Sequence, residues 1–76
     1  MLRLNLRGLR CPFILLEIIE AVDGHPKDSV LVECDDERAV RQTLPAFCAV
    51  RGYKCEVESS LGPVYRLRLE PLPVPA

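Results

Sequence analysis

With 76 residues, 10 basic and 11 acidic side chains, this chain is expected to form one small domain of net charge -1. A chain this short buries only about 60% of its unfolded surface, which excludes a second core. The near-neutral charge argues against a protein that mainly coats nucleic-acid phosphates, and no apolar run of about 18 residues could span a membrane. Without a secretory leader, four cysteines predict free thiols in a cytoplasmic protein.

The first half of the chain predicts a strand, a helix and a second strand. Leucines alternate with polar residues over positions 2–7, which is typical of a strand with one buried face. Gly8 permits a turn. Dense apolar residues from Pro12 to Val22 predict a helix that Gly24 closes. Residues 29–34 alternate again and predict the second strand.

The second half predicts a helix and a hairpin. Pro45 cannot donate a hydrogen bond in the middle of a helix, so we expect a short turn over residues 36–43 and then a helix with Pro45 in its first turn. Gly52 follows the end of this helix. Two alternating strands then cover residues 53–58 and 65–70, and the loop at 59–63 makes them antiparallel neighbours.

This order, βαβαββ, predicts an α/β two-layer sandwich. A right-handed crossover places the first helix over a four-stranded mixed sheet, and the second helix should join it on the same face. Residues 1–70 then form the single domain. The segment 71–76, Pro-Leu-Pro-Val-Pro-Ala, predicts a flexible tail because proline cannot extend a sheet.

The candidate reactive residue is Cys11, which lies between a strand-ending turn and a proline that opens a helix. With Pro12 at the first helical position, Cys11 becomes the N-cap, and its sulfur lies near unpaired N–H groups and the positive end of the helix dipole. Arg10, with a contribution from Arg7, adds positive charge. These groups favour a thiolate, or a persulfide anion, over the neutral form. On spacing alone, an inert buried cysteine is about as well supported.

The stretch Leu6-Arg7-Gly8-Leu9-Arg10-Cys11-Pro12 resembles the signature of the TusA/SirA-like sulfur-carrier family, whose motif is Cys-Pro-x-Pro after an apolar-basic-Gly-Leu lead. The resemblance continues along residues 2 to 70, with a second-helix region that includes these matching segments: Asp35-Asp36, Ala39-Val40-Arg41, Pro45-Ala46-Phe47-Cys48 and Arg51-Gly52-Tyr53.

The resemblance implies a two-layer α/β fold and a catalytic cysteine at Cys11 that needs no cofactor. It implies relay of persulfide sulfur from a donor protein, of the cysteine desulfurase or rhodanese type, to an acceptor protein. Members of the family are associated with tRNA thiolation, molybdenum-cofactor supply and sulfur oxidation. We expect a monomer that acts as a carrier.

Ile14 replaces the second proline of that motif. As the N3 residue it would supply an N–H donor to the sulfur, which the family's proline lacks. The alternative is a divergent member with changed partners or lost activity. Pro12, Phe13 and Ile14 are therefore expected to support the thiolate together with Arg10, while Phe13 and Arg7 are candidates for partner docking. Core packing is the more common role for such apolar helix residues.

The other cysteines and the lone histidine suggest no further site. Cys34 and Cys55 fall on inward strand faces and are expected to pack inertly, and no Cys-x-x-Cys spacing supports a metal. His25 is expected in a solvated loop. Cys48 could act as a resolving partner for Cys11 only if their Cα atoms lie within about 7 Å.

Three functions compete at this point. The leading one is sulfur transfer through Cys11. The second is a non-catalytic module that binds a protein or RNA, for which Arg3, Arg66 and Arg68 could form a basic stripe, although a surface charge stripe is the ordinary explanation. The third is a redox switch between Cys11 and Cys48.

Overall fold

The computed structural model describes residues 1–73, and three crossover or hairpin connections link its four strands into one mixed sheet. Strand β1 pairs with β2 in parallel, and β4 pairs antiparallel with both β2 and β3, in the order β1-β2-β4-β3. The predicted α/β two-layer sandwich is confirmed. Its elements are β1 (Leu2–Asn5), α1 (Phe13–Gly24), β2 (Val30–Cys34), a π-helical turn (Ala39–Thr43), α2 (Leu44–Arg51), β3 (Tyr53–Leu61) and β4 (Val64–Pro71).

The core lies between one face of the sheet and the two helices. Alternate residues of the central strands are fully buried, and α1 and α2 contribute apolar side chains to the same cluster, as the period-two and helical patterns predict. Fully buried members from sheet and helices include Val30, Val32, Leu67, Leu69, Ile14, Ile18 and Leu44.

The opposite sheet face is polar and ion-paired. Arg66 bonds Glu33 at 3.0 Å across the β2–β4 ladder, and Arg68 contacts Glu58 at 2.6 Å. Arg3 lies on β1 opposite Leu31 of β2, so β2 separates it from the two arginines of β4. These arginines therefore do not form the continuous basic stripe that one of the sequence hypotheses required.

Helix α1 begins one residue later than the sequence predicts. Pro12 occupies the N-cap, with φ -90° and ψ 2°, and the first helical residue is Phe13. Cys11 therefore precedes the cap, and the prediction that it is the N-cap residue is wrong. The reason lies in Arg10, whose carbonyl accepts the N–H groups of Phe13 at 2.8 Å and Ile14 at 3.3 Å.

The segment before α2 is more helical than a simple turn. Over Ala39–Thr43 the chain forms a π-helical turn, in which the Leu44 N–H donates to the Ala39 carbonyl five residues back. Pro45 follows in the first turn of α2, as predicted, where its missing N–H removes no intrahelical bond. Gly52 ends α2 with φ 75°, a left-handed conformation that glycine adopts without strain.

Strand β3 extends farther than predicted and shortens the hairpin loop. Ser59, Ser60 and Leu61 pair with β4, so only Gly62 and Pro63 make the turn, and the predicted loop over 59–63 is wrong. A bulge at Glu58 shifts the register between Val57 and Ser59. This extra residue keeps the ladder paired where the sequence pattern stops alternating.

The end of the domain also differs slightly from expectation. Pro71 pairs with Tyr53 at the end of β4, and the Leu72 N–H donates to the Gly52 carbonyl at 2.9 Å. Pro71 is accommodated because it is the last residue of the strand. The predicted flexible tail over 71–76 therefore begins with two residues that contact the domain, and its last three positions lie outside the described residues.

Candidate functional site

The site forms where the carboxyl ends of β1 and β2 meet. These strands are parallel, so the segment that follows each of them emerges at the same edge of the sheet. The segment after β1 contains Cys11, and the segment after β2 contains Asp35 and Asp36. The sheet topology therefore brings a thiol and two carboxylates together across more than twenty residues of sequence.

Cys11 is half-buried at this edge and packs partly against the core. Its Sγ lies 3.5 Å from the Thr43 hydroxyl, at the end of the π-helical turn, and its N–H donates to Asp36 Oδ2 at 3.4 Å. A threonine hydroxyl can accept from a thiol or donate to a thiolate. The arrangement can thus hold the sulfur in either protonation state.

Asp36 anchors both sides of the site. One carboxylate oxygen accepts from the Cys11 N–H, and the other accepts from the N–H groups of Arg38 at 3.1 Å and Ala39 at 3.5 Å. It therefore caps the start of the helical segment that leads to Thr43 and fixes the backbone of Cys11. The carboxylate positions the thiol and the hydroxyl relative to each other.

Asp35 neutralises much of the positive charge that the sequence places beside Cys11. Its Oδ1 accepts from the Gly8 N–H at 3.1 Å and from an Arg10 guanidinium nitrogen at 2.9 Å. These bonds, first the one from Gly8 and then the one from Arg10, hold the pKa of the Asp35 carboxyl below its ordinary value. Arg10 is thus paired with the Asp35 carboxylate and is not placed to stabilise the Cys11 sulfur by itself.

The remaining predicted site residues have distinct positions. Arg7 donates through Nε to Asn5 Oδ1 at 3.0 Å and is exposed. Ile14 is fully buried, and its N–H donates to Arg10, so its predicted bond to the sulfur is wrong. Phe13, by contrast, is 61% exposed beside the site, and Leu16 one turn later is 57% exposed. This exposure of Phe13 is compatible with partner docking and not with packing in the core.

Thr43 and Asp36 are the site residues that sequence reasoning missed. A partial signal existed in the sequence. Asp35 and Asp36 follow the second predicted strand just as Arg7 and Arg10 follow the first, and strands joined by a right-handed crossover end at the same edge of a sheet. Thr43 gave no such signal. Its contact with Cys11 depends on the π-helical turn, which the sequence pattern did not specify.

The other thiols lie apart from this arrangement. Cys34 is fully buried, and burial is the main cause that raises the pKa of its thiol. Cys48 is buried in the core, where the neighbouring Cys55 thiol and burial raise the pKa of its own thiol. Residues 1–73 contain no group of three or more His, Cys, Asp or Glu side chains arranged for a metal ion. His25 is exposed and lies 3.5 Å from Asp28.

Known proteins are similar to this chain over almost its full length. The family model described as sulfurtransferase TusA matches residues 2–70. A SirA-like protein from Desulfitobacterium hafniense has a similar structure, with a TM-score of 0.84 and 19% sequence identity over 96% of this chain and 100% of that one. No curated protein sequence matches. The structural similarity supports the fold, and the family match covers the segment that contains Cys11.

Proposed function

Because the chain belongs to the TusA sulfurtransferase family, we propose that Cys11 accepts sulfane sulfur from a donor protein and relays it to an acceptor. The observation that supports this most directly is the position of Cys11, half-exposed at the carboxyl edge of the sheet with the Thr43 hydroxyl 3.5 Å from its sulfur. A carrier needs a thiol that two large partners can reach in turn, and the partial exposure of Cys11 at this edge supports that role.

The proposed transfer is a pair of displacements at sulfur. The Cys11 thiolate attacks the outer sulfur of a donor Cys–S–SH, the S–S bond of the donor breaks, and the donor leaves as a thiolate. Cys11 then holds the persulfide. An acceptor thiolate attacks its outer sulfur, and Cys11 leaves as a thiolate with its electron pair. The Thr43 hydroxyl can donate to the anionic sulfur of Cys11 before the first displacement and after the second.

Residues Phe13 and Leu16 suit the docking of both partners. They are exposed by 61% and 57% and lie on α1 directly after the cysteine, where an apolar side chain gains by contact with another protein. We propose that the donor, a cysteine desulfurase or rhodanese-type protein, and the acceptor use this surface alternately. Such alternate use is consistent with a carrier that acts as a monomer.

A cytoplasmic location fits this chemistry. All four cysteines are free thiols, and thiols persist in a reducing compartment. Within residues 1–73, no helix is long and apolar enough to cross a membrane. An RNA-binding role has less support, because Arg66 and Arg68 already pair with acidic side chains on the polar face of the sheet.

The test is direct transfer of sulfur, followed by intact mass. Reduced protein is incubated with a desulfurase loaded with persulfide, and the expected product gains one sulfur atom on the peptide that contains Cys11. Cys11→Ala should gain none. Cys55→Ser is the matched control, since Cys55 is also half-buried, and it should gain sulfur like the wild type. Equal uptake by wild type and Cys11→Ala would overturn the proposal.

A further inference from the structure

A groove runs along the outer side of the sheet, between β1 and α1. Leu2 and Leu4 of β1 line one side of it and pack partly against the core. One face of α1 lines the other side, with residues at three- and four-residue spacing: Glu17, Glu20, Ala21 and Gly24. A Cβ added to Gly24 would meet no atom within 4 Å, so the helix leaves open space beside the strand.

The backbone of β1 presents unused hydrogen-bonding groups to this groove. β1 is the last strand at its side of the sheet. Leu2 and Leu6 donate their N–H groups, at 2.9 and 2.7 Å, to carbonyls of the neighbouring segment 29–33. Because the polar groups of successive strand residues point to opposite sides, the N–H and C=O groups of Arg3 and Asn5 point away from β2, toward the outside of the sheet.

The side chains that line the groove give it a negative charge. Glu17 and Glu20 are both exposed, and within residues 1–73 neither takes part in a salt bridge. The other titratable group of the lining, His25, lies 3.5 Å from Asp28. Arg3 belongs to the opposite face of the sheet, as the alternation along β1 requires, so it does not neutralise the two glutamates.

We propose that this groove binds an extended segment of a partner protein that carries lysine or arginine at every second position. The segment joins the sheet as an added strand and forms backbone hydrogen bonds with Arg3 and Asn5. Its basic side chains enter the groove, where their aliphatic stems pack against the two leucines of β1 and their charged ends pair with Glu17 and Glu20. The inference is independent of sulfur transfer at Cys11.

The lining of the groove selects basic residues over the other choices. An apolar segment would cover Leu2 and Leu4 but would also take water away from the two glutamates without pairing them, which costs free energy. An acidic segment would be repelled. Since β1 has only four residues, the paired stretch is short, and the side-chain contacts must supply most of the affinity.

Two peptides of equal charge and composition test the proposal on the full chain. The first is fluorescein-labelled Lys-Thr-Lys-Thr-Lys-Thr with blocked ends, and the second, Lys-Lys-Lys-Thr-Thr-Thr, lacks the alternation. We expect the alternating peptide to bind roughly fivefold more tightly by fluorescence anisotropy, because it alone can direct its lysines to both glutamates while it pairs as a strand. In its complex, hydrogen exchange measured by NMR should slow at the Arg3 and Asn5 amides.

Arg3→Pro tests the backbone pairing separately from charge. It removes the outward N–H and leaves the ladder with β2, because proline is tolerated on the open side of an edge strand. It also removes a positive charge, which by itself would strengthen the binding of a cationic peptide. We expect roughly fivefold weaker binding of the alternating peptide, from the lost hydrogen bond. Arg3→Thr is the matched control, which keeps the N–H and should bind at least as tightly as the wild type.

A double variant tests the charge. Glu17→Gln combined with Glu20→Gln should bind the alternating peptide roughly fivefold more weakly, since each exposed ion pair contributes little alone. Glu37→Gln combined with Glu56→Gln removes two exposed acids elsewhere and should have little effect. Equal binding of the two peptides by the wild type, or unchanged exchange at the two outward amides of β1, would overturn the proposal. Both measurements use the wild-type chain, so they decide the matter even if a variant fails to fold.

Discussion

At the residue scale, the Thr43 hydroxyl lies 3.5 Å from Cys11 Sγ. Thr43→Val removes the hydroxyl and keeps the shape of the side chain. Because a hydrogen bond of this kind contributes about 1 kcal/mol, we expect Cys11 to alkylate roughly fivefold more slowly in this variant near neutral pH. The rate is measured with iodoacetamide by the loss of unmodified peptide 11–27.

Thr43→Ser is the control for that measurement. It retains the hydroxyl and should alkylate at a rate close to that of the wild type. A Thr43→Val variant that reacts as fast as the wild type would show that the hydroxyl does not stabilise the thiolate.

Asp35 is expected to make the free energy of unfolding depend on pH in the acidic range. Its pKa in the folded state lies below the ordinary 3.8, so its charged form is favoured by folding and its contribution is complete above that value. As the pH falls through 3.8 toward the folded value, the contribution is lost. We expect Asp35→Asn to be less stable than the wild type near pH 6, with the gap narrowing as the pH falls toward 2.

Urea unfolding at several pH values measures this gap. Glu17→Gln, which changes an exposed carboxyl on α1, serves as the control and should show no comparable narrowing. A gap for Asp35→Asn that stays constant from pH 6 to the acid limit would contradict the assignment of Asp35 as the responsible group.

At the level of elements, the start of α1 differs from the motif of its family because Ile14 replaces a proline. Its side chain is fully buried, while its N–H shares the Arg10 carbonyl with Phe13 at the longer distance of 3.3 Å. We expect Ile14→Pro and Ile14→Ala to lower the free energy of unfolding by similar amounts, about 2–5 kcal/mol, because both lose the buried side chain. Chemical denaturation measures both values.

The rate of sulfur uptake gives a second measure on the same variants. Since the Ile14 N–H does not point to Cys11, folded Ile14→Pro should accept sulfur as fast as the wild type. If the proline variant is far less stable than the alanine variant, the hydrogen bond from the Ile14 N–H to Arg10 contributes more to stability than its length of 3.3 Å suggests. If only the proline variant loses uptake, the N–H supports the sulfur after all.

The elements themselves were largely predictable, since alternation and helical spacing follow from burial on one face. The exceptions have local causes. The Arg10 carbonyl moves the start of α1 past Cys11, and the bulge at Glu58 lets β3 continue where its alternation fails. Cys11 could be singled out as a candidate because its neighbours in sequence mark a helix start, but its reactivity stays a prediction that rests on the family resemblance. Thr43 could not, because its place depends on a π-helical turn that has no comparable sequence pattern.

For the molecule as a whole, the exposed apolar residues beside Cys11 allow the proposed docking of partners to be tested separately from the proposed sulfur transfer. Phe13→Ser combined with Leu16→Ser should leave the melting temperature nearly unchanged, because both side chains are more than half exposed. We expect sulfur uptake from a persulfide-loaded desulfurase to fall roughly tenfold, since such apolar anchors dominate protein contacts. Uptake from glutathione persulfide, which needs no docking, should be unaffected.

Val50→Ser is the matched control, because Val50 is 86% exposed on α2. It should change neither rate. A double variant at Phe13 and Leu16 that loses both rates equally would point to damage at Cys11 itself. One that loses neither would exclude this surface as the docking site.

The bulge at Glu58 also affects how the protein behaves when it is concentrated. Strand β3 is a nine-residue edge of the sheet, and a straight edge of that length can recruit another chain and grow into fibres. The bulge interrupts its regular spacing of N–H and C=O groups, and Lys54 and Glu56 charge the stretch before it. The other edge, β1, is only four residues long. Neither edge of the sheet thus offers a long, regular template for pairing with a strand of another chain.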